Sequence, residues 1–174
     1  PTMNRLRLAF TVAAFTFAVA VSADEVKLSN VHLCCNACVK GAEKAAAKAA
    51  GATVTVDKDA GTVAISASNK AAIQQAVDAL VAAGYYGKSS DASVKLAANA
   101  GATDAKVSSL KLEGVHLCCA KCVTAVQKAV SSVAGVKGNT AEKNAKVFEV
   151  TGDFSAKAVL DALHNAGLTG NVAK

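Results

Sequence analysis

Two kinds of stretch follow one another along the chain in a fixed order, and the whole order occurs twice. Thr53 to Asp57 and Thr62 to Ala67 alternate apolar and polar residues with period two. That pattern predicts two half-buried strands, joined by a turn at Lys58-Asp59-Ala60-Gly61. Ahead of them, Glu25 to Val31 predicts a short strand and Cys38 to Ala49 an Ala- and Lys-rich helix stopped by Gly51. Behind them, Asn69 to Ala83 predicts a second helix, capped by Asn69 and ended by Gly84, and Tyr85 to Lys88 a short last strand. The second copy predicts strands at Val107 to Val115, Val136 to Ala141 and Lys146 to Thr151. Its helices run from Cys122 to Val133 and from Ser155 to Ala166, the latter capped by Asp153 or Ser155 and ended by Gly167. A last strand runs from Leu168 to Val172.

The order βαββαβ in each copy is that of a split βαβ, ferredoxin-like unit, so the fold class expected is α+β with two tandem units. The sequence itself repeats. Val31-His32-Leu33-Cys34-Cys35-Asn36-Ala37-Cys38-Val39 returns as Val115-His116-Leu117-Cys118-Cys119-Ala120-Lys121-Cys122-Val123, identical at seven of nine positions and offset by 84 residues. The stretch Ala76 to Leu80 returns as Val159 to Leu163 at an offset of 83, which implies a residue lost or gained between. A period this long indicates tandem domains rather than a solenoid. Between the copies, Ser89 to Lys106 is rich in Ser, Ala, Asp and Gly. It reads as a flexible linker with a short helical turn around Val94 to Asn99.

The N-terminal stretch reads as an address. Arg5 and Arg7 follow Met3, Leu8 to Val21 runs 14 residues without a charge, and Val21-Ser22-Ala23 supplies small residues before Asp24. This is the secretory signal pattern, with cleavage expected after Ala23. The apolar run falls short of the ~20 residues of a membrane span. The expected organisation is a leader over 1–23, a first domain over 24–88, a linker over 89–106 and a second domain over 107–174. The expected location is the periplasm or the exterior.

Without the leader, 17 basic side chains face 13 acidic ones, a net charge of +4 spread as single lysines. With aromatics at only 4%, stacking platforms for bases are missing and nucleic-acid binding is not expected. Alanine supplies much of the 52% hydrophobic content, so each core should be thin.

All six cysteines lie in the two repeated clusters. A disulfide-stapled scaffold spreads its cysteines, so these point to other chemistry. Each cluster falls between a strand and a helix start, where free N–H groups and the helix dipole favour thiolates. Cys35 with Cys38, and Cys119 with Cys122, have the spacing at which two sulfurs converge on one ion. Two thiolates suit Cu(I) above all, with Hg(II) and Ag(I) close behind, and fall short of the four ligands of a structural Zn(II) site. The same Cys-x-x-Cys pairs would also serve a thiol–disulfide oxidoreductase or a redox-sensing module. No Ser/His/Asp triad, phosphate loop or paired carboxylate is visible, so the chain reads as a non-enzyme without a substrate.

The repeated motif resembles that of the heavy-metal-associated domain, the family of copper chaperones, copper-pump N-terminal domains and periplasmic mercury-binding proteins. Leu33-Cys34-Cys35-Asn36-Ala37-Cys38 and Leu117-Cys118-Cys119-Ala120-Lys121-Cys122 match its Met-x-Cys-x-x-Cys, with leucine replacing methionine. The resemblance covers nearly all of the chain after residue 24. It implies one ion per domain, held by Cys35 and Cys38 and by Cys119 and Cys122. It also implies transfer by ligand exchange to a metal-transporting membrane protein or another chaperone.

Cys34 and Cys118 are additions at a variable position of that motif. They read as third thiolates, which would favour three-coordinate Cu(I), Zn(II) or Cd(II), as redox partners, or as small loop residues. His32 and His116 recur beside them and read as strand-end side chains facing solvent or a backbone carbonyl, with a ligand role as the alternative. Tyr85 and Tyr86 read as edge-strand packing, His164 as a surface residue, and Lys40, Lys44, Lys121 and Lys128 as a solvated helix face.

Overall fold

Burial alternates along the strands as the sequence pattern requires, and that alternation sets each sheet on its helices. A computed structural model of the chain describes residues 23–97 and 101–173. The first unit consists of β1 (Asp24–Ser29), α1 (Asn36–Ala46), β2 (Ala52–Asp57), β3 (Thr62–Ala67), α2 (Lys70–Ala82) and β4 (Lys88–Ser89). The second consists of β5 (Lys106–Glu113), α3 (Ala120–Ser131), β6 (Val136–Asn139), β7 (Val147–Ser155), α4 (Ala156–Asn165) and β8 (Asn171–Val172). The sheets run β2-β3-β1-β4 and β6-β7-β5-β8, antiparallel throughout. This is the ferredoxin-like α+β arrangement expected, present twice.

One face of each sheet carries the core. Val26, Leu28, Val63 and Ile65 meet Ile73, Val77 and Leu80 of α2 in the first unit. Leu110, Leu112, Phe148 and Val150 meet Val159, Leu160 and Leu163 of α4 in the second. Each fully buried Leu, Ile or Phe contributes about 1.5–3 kcal/mol. The helix caps form as expected: Asn69 Oδ1 accepts from Ala72 N–H at 2.9 Å, and Ser155 Oγ accepts from Ala158 N–H at 3.2 Å. Asp153 pairs instead with Lys106.

Beyond the one-residue change in repeat offset, the element boundaries differ between the copies. α4 has 10 residues where α2 has 13, while β7 has 9 where β3 has 6. The second copy therefore exchanges the first turn of its helix for more strand, paired with the longer β5.

Residues 89–96, the front half of the stretch read as a linker, are tied to the first unit. Ser90 N–H donates to Lys27 O at 2.9 Å, Gln74 Nε2 donates to Lys95 O at 2.7 Å, and Val94 is buried. The expected helical turn around Val94 to Asn99 does not form over the described residues 94–97; a turn closed by Val94 N–H on Asp91 O at 3.2 Å precedes them. The leader reading falls on residues outside the described ones, apart from Ala23. Among the described residues no helix is long and apolar enough to cross a membrane.

The two units dock through an approximate two-fold. Tyr86 N–H donates to Gly167 O at 3.2 Å, and its repeat-mate Thr169 N–H donates to Gly84 O at 3.0 Å, with Tyr85 and Leu168 bridged between them. His32 N–H donates to Gly167 O at 3.1 Å, and Asn30 Nδ2 donates to Asn165 O at 3.1 Å. Gly84 and Gly167 end their helices at φ of +86° and +75° and lie against the opposite unit's backbone. A Cβ on Gly84 would stand 2.5 Å from Gly114 O and His116 N. Only glycine supplies both the left-handed φ and the close approach.

Candidate metal centre

The helices start earlier than the sequence pattern suggests, at Asn36 and Ala120, and this makes Cys35 and Cys119 the N-cap residues. Both have extended backbones, with φ of −159° and −149°. Cys38 and Cys122 then fall in the first helical turn, fully buried, with Cys38 N–H donating to Cys35 O at 3.0 Å. Leu33 and Leu117, in the place of the motif methionine, are buried beneath the loops.

Docking brings both loops to one place. All six sulfurs form a single cluster, and all six are free thiols. Within the units, Cys35 Sγ lies 3.5 Å from Cys38 Sγ, and Cys119 Sγ lies 3.7 Å from Cys122 Sγ. Across the seam, Cys34 Sγ lies 3.3 Å from Cys119 Sγ and 3.5 Å from Cys122 Sγ. Cys118 Sγ lies 3.5 Å from Cys38 Sγ and 3.9 Å from Cys35 Sγ. The buried pair Cys38 and Cys122 meet at 3.7 Å.

The electrostatics divide these thiols. The backbone N–H of Cys122 draws the Cys119 thiol down to about 6, aided by the Cys34 and Cys122 thiols and by Lys121 N–H. This is the helix N-terminus acting on a half-buried sulfur. At Cys38 burial pushes upward, but contacts with Cys118, Cys35, Cys34 and Cys122 outweigh it and the thiol falls below its usual value. Burial pushes the Cys118 thiol up to about 12 and raises those of Cys34 and Cys122 as well. The cluster thus offers one readily ionised sulfur from each unit, surrounded by thiols that can donate to it.

Tyr85 and the two histidines border the sulfurs. Tyr85 is 2% exposed, and its hydroxyl donates to Cys38 O at 2.8 Å. With its one proton committed, it accepts from His116 Nε2–H at 3.2 Å, which fixes that tautomer. Burial and neighbouring thiolate charge raise the Tyr85 pKa, so it stays a phenol. The sequence reading of Tyr85 as edge packing missed this position beside the site. His32 and His116 face the seam rather than solvent. Nitrogen of His116 lies within 4.8 Å of the sulfurs of Cys38, Cys118 and Cys122, and nitrogen of His32 within 4.8 Å of those of Cys34 and Cys122. His32 Nε2 is buried without a hydrogen-bond partner. The signal available in the sequence was the recurrence of the histidine in both copies. His164 is likewise no plain surface residue, since it stacks on Tyr86 across the seam at 3.8 Å between ring centres. Lys40, Lys44, Lys121 and Lys128 are exposed, as a solvated face requires.

The donors that meet here are sulfur and imidazole, without a carboxylate among the three candidate ligand groups. Such a set fits a soft ion and does not fit Mg(II) or Ca(II). Two thiolates per unit fall short of the four ligands of Zn(II), but the six sulfurs that meet here exceed them.

No family model matches the chain, and no curated protein matches it. Several solved structures are similar, among them the following three. Oxidised MerP from Ralstonia metallidurans CH34 is 26% identical, over 38% of this chain and 96% of that one, with a TM-score of 0.36. A protein studied for crosstalk between Cu(I) and Zn(II) homeostasis is 22% identical, over 38% of this chain and 100% of that one, with a TM-score of 0.34. The N-terminal soluble domains of Bacillus subtilis CopA are 16% identical, over 87% of this chain and 95% of those, with a TM-score of 0.34. The likeness to heavy-metal-associated domains therefore rests on the twice-repeated cysteine motif and on the strand order that places it before a helix.

Proposed function

We propose that the chain binds soft heavy-metal ions, Cu(I) foremost, through Cys35, Cys38, Cys119 and Cys122, and carries or sequesters them outside the cytoplasm. The observation that carries this reading is the convergence of six free sulfurs from two helix N-termini at 3.3 to 3.9 Å. At a metal–sulfur bond of about 2.3 Å, two sulfurs on one ion stand about 3.8 Å apart in tetrahedral geometry, about 4.0 Å in trigonal and about 4.6 Å in linear. The observed spacings need only a small opening for trigonal binding and a much larger one for linear binding. No four of the six sulfurs are joined pairwise by these contacts, whereas several sets of three are. That favours Cu(I), which accepts three thiolates, over tetrahedral Zn(II). The leader reading supports a location outside the cytoplasm, where a metal-transporting membrane protein or another chaperone would be the partner.

A second reading has one observation behind it. Cys38, His116, Cys118 and Cys122 form a four-donor group of the Cys₃His type that Zn(II) uses.

The test is anaerobic titration of the reduced chain with Cu(I) against a competing chelator. About two equivalents should be held, and lost in the Cys35→Ser, Cys119→Ser double variant. Tight Zn(II) binding that Cu(I) does not displace would favour the second reading. Absence of Cu(I) binding together with turnover in a disulfide-reduction assay would overturn both in favour of an oxidoreductase.

A further inference from the structure

We infer that the two sites are built crosswise, with each unit's additional cysteine completing the other unit's Cys-x-x-Cys pair. The inference rests on the reading of these thiols as metal ligands and names which three hold each ion. Cys118 joins Cys35 and Cys38 of the first unit, and Cys34 joins Cys119 and Cys122 of the second.

The sulfur contacts carry the argument. Cys35, Cys38 and Cys118 form a closed triangle with sides of 3.5, 3.9 and 3.5 Å. Cys34, Cys119 and Cys122 form another, with sides of 3.3, 3.5 and 3.7 Å. The two triangles are exchanged by the same approximate two-fold that relates Tyr86 to Thr169. Within one unit no triangle closes: Cys34 meets Cys38 and Cys118 meets Cys122, but neither has such a contact with the cysteine beside it in sequence. Local geometry explains this. Cys35 sits at the N-cap in extended backbone with its sulfur 3.5 Å from Cys38 Sγ of its own helix, and the side chain before it projects the other way. With the units docked, the other way is the opposite loop.

A crosswise trigonal site differs from two independent sites in its consequences. An ion bound by Cys35, Cys38 and Cys118 is a clamp between the units, so loading favours the docked form and release requires the seam to open. Each ligating thiol gives its proton to solvent and its electron pair to the ion, and nothing is oxidised. The sites also differ in ionisation, since the first contains Cys38 and the second Cys119 as its readily ionised member.

The experiment uses the full chain with Cys35 and Cys38 both changed to alanine, leaving the second unit's pair. Cu(I) affinity is then compared after Cys34→Ser and after Cys118→Ser. In the crosswise arrangement Cys34→Ser weakens the remaining site by roughly tenfold or more, the range that loss of even an outer-shell partner reaches, and Cys118→Ser leaves it unchanged. X-ray absorption should show three sulfurs per copper falling to two with Cys34→Ser. The reverse pattern, or no effect of either, overturns the crosswise assignment while the metal-binding reading stands. Loss of Cu(I) binding in the unsubstituted chain overturns that reading instead. The mirror background, with Cys119 and Cys122 changed to alanine, must show the roles exchanged, and circular dichroism on every variant separates lost ligation from lost fold.

Discussion

The Tyr85 hydroxyl donates to the backbone carbonyl of Cys38 at 2.8 Å, so a side chain at the end of one helix fixes the first turn of another that carries a buried sulfur. Room for that hydroxyl comes from Gly41, where a Cβ would collide with it. Tyr85→Phe removes the second bond to the Cys38 carbonyl, which keeps its place in the α1 ladder, and leaves the His116 Nε2–H without its acceptor, and should cost about 1–3 kcal/mol in urea unfolding. Gly41→Ala should destabilise the chain with Tyr85 in place. In the Tyr85→Phe background the same change should be neutral or stabilising, by up to about 1 kcal/mol, because alanine is the better helix former. Equal effects in both backgrounds would show that the hydroxyl does not set the glycine.

Thiol reactivity in the reduced, metal-free chain should be uneven. Cys119, drawn down to about 6 chiefly by the Cys122 backbone N–H, is mostly thiolate at neutral pH, whereas Cys118, pushed up to about 12 by burial, is a thiol. Alkylation by iodoacetamide, followed site by site by mass spectrometry, should rise at Cys119 as pH climbs through about 6 and then level off. Cys118 should stay slow through the neutral range. Reaction first at Cys118 would contradict the helix N-terminus as the source of the activation.

Most of the fold was legible because each element depends on local pattern. Thr62 to Ala67 alternates, Asn69 and Ser155 cap their helices, and Gly84 and Gly167 stop theirs. The cysteine pairs were legible from spacing and from their slot before a helix. The docking was not. Tyr86 N–H to Gly167 O and Thr169 N–H to Gly84 O are backbone contacts between residues more than eighty positions apart, and no periodicity encodes such a pairing. For that reason His32 and His116, ordinary in either unit alone, acquire their surroundings only in the seam, and Tyr85, tied to Cys38 O within its own unit, meets His116 there. The glycines at 84 and 167 looked like helix stops and are that, but their closeness to the opposite backbone is a second requirement that a single unit's pattern cannot carry.

The seam can therefore be opened at a glycine. Gly167→Ala places a Cβ against Asn30 O and His32 N at a φ of +75°. The left-handed backbone alone costs about 1–2 kcal/mol, and the collision adds to it. The expected result is a lower melting temperature and, in X-ray scattering, a more extended particle than the parent chain. Restoration of the parent dimensions by Cu(I) would show that the ion contributes to holding the units together. A variant as stable and as compact as the parent would mean that the seam tolerates a side chain there.

Acid should loosen the metal-free chain through its histidines. Burial lowers the pKa of His32, and burial together with the charge of His32 lowers that of His116. In the unfolded chain both titrate near the ordinary value of about 6.5, so below it the unfolded state binds protons that the folded state refuses. The histidines' contribution to stability is then complete above about pH 6.5 and declines as pH falls below it, levelling off only beneath the folded values. His32 Nε2 has no hydrogen-bond partner to lose, so His32→Phe should shallow the decline without lowering stability at pH 7.5. Urea unfolding at pH 7.5, 6.0 and 5.0 measures both, and a His32→Phe variant with the parent's full acid sensitivity would place the titrating group elsewhere.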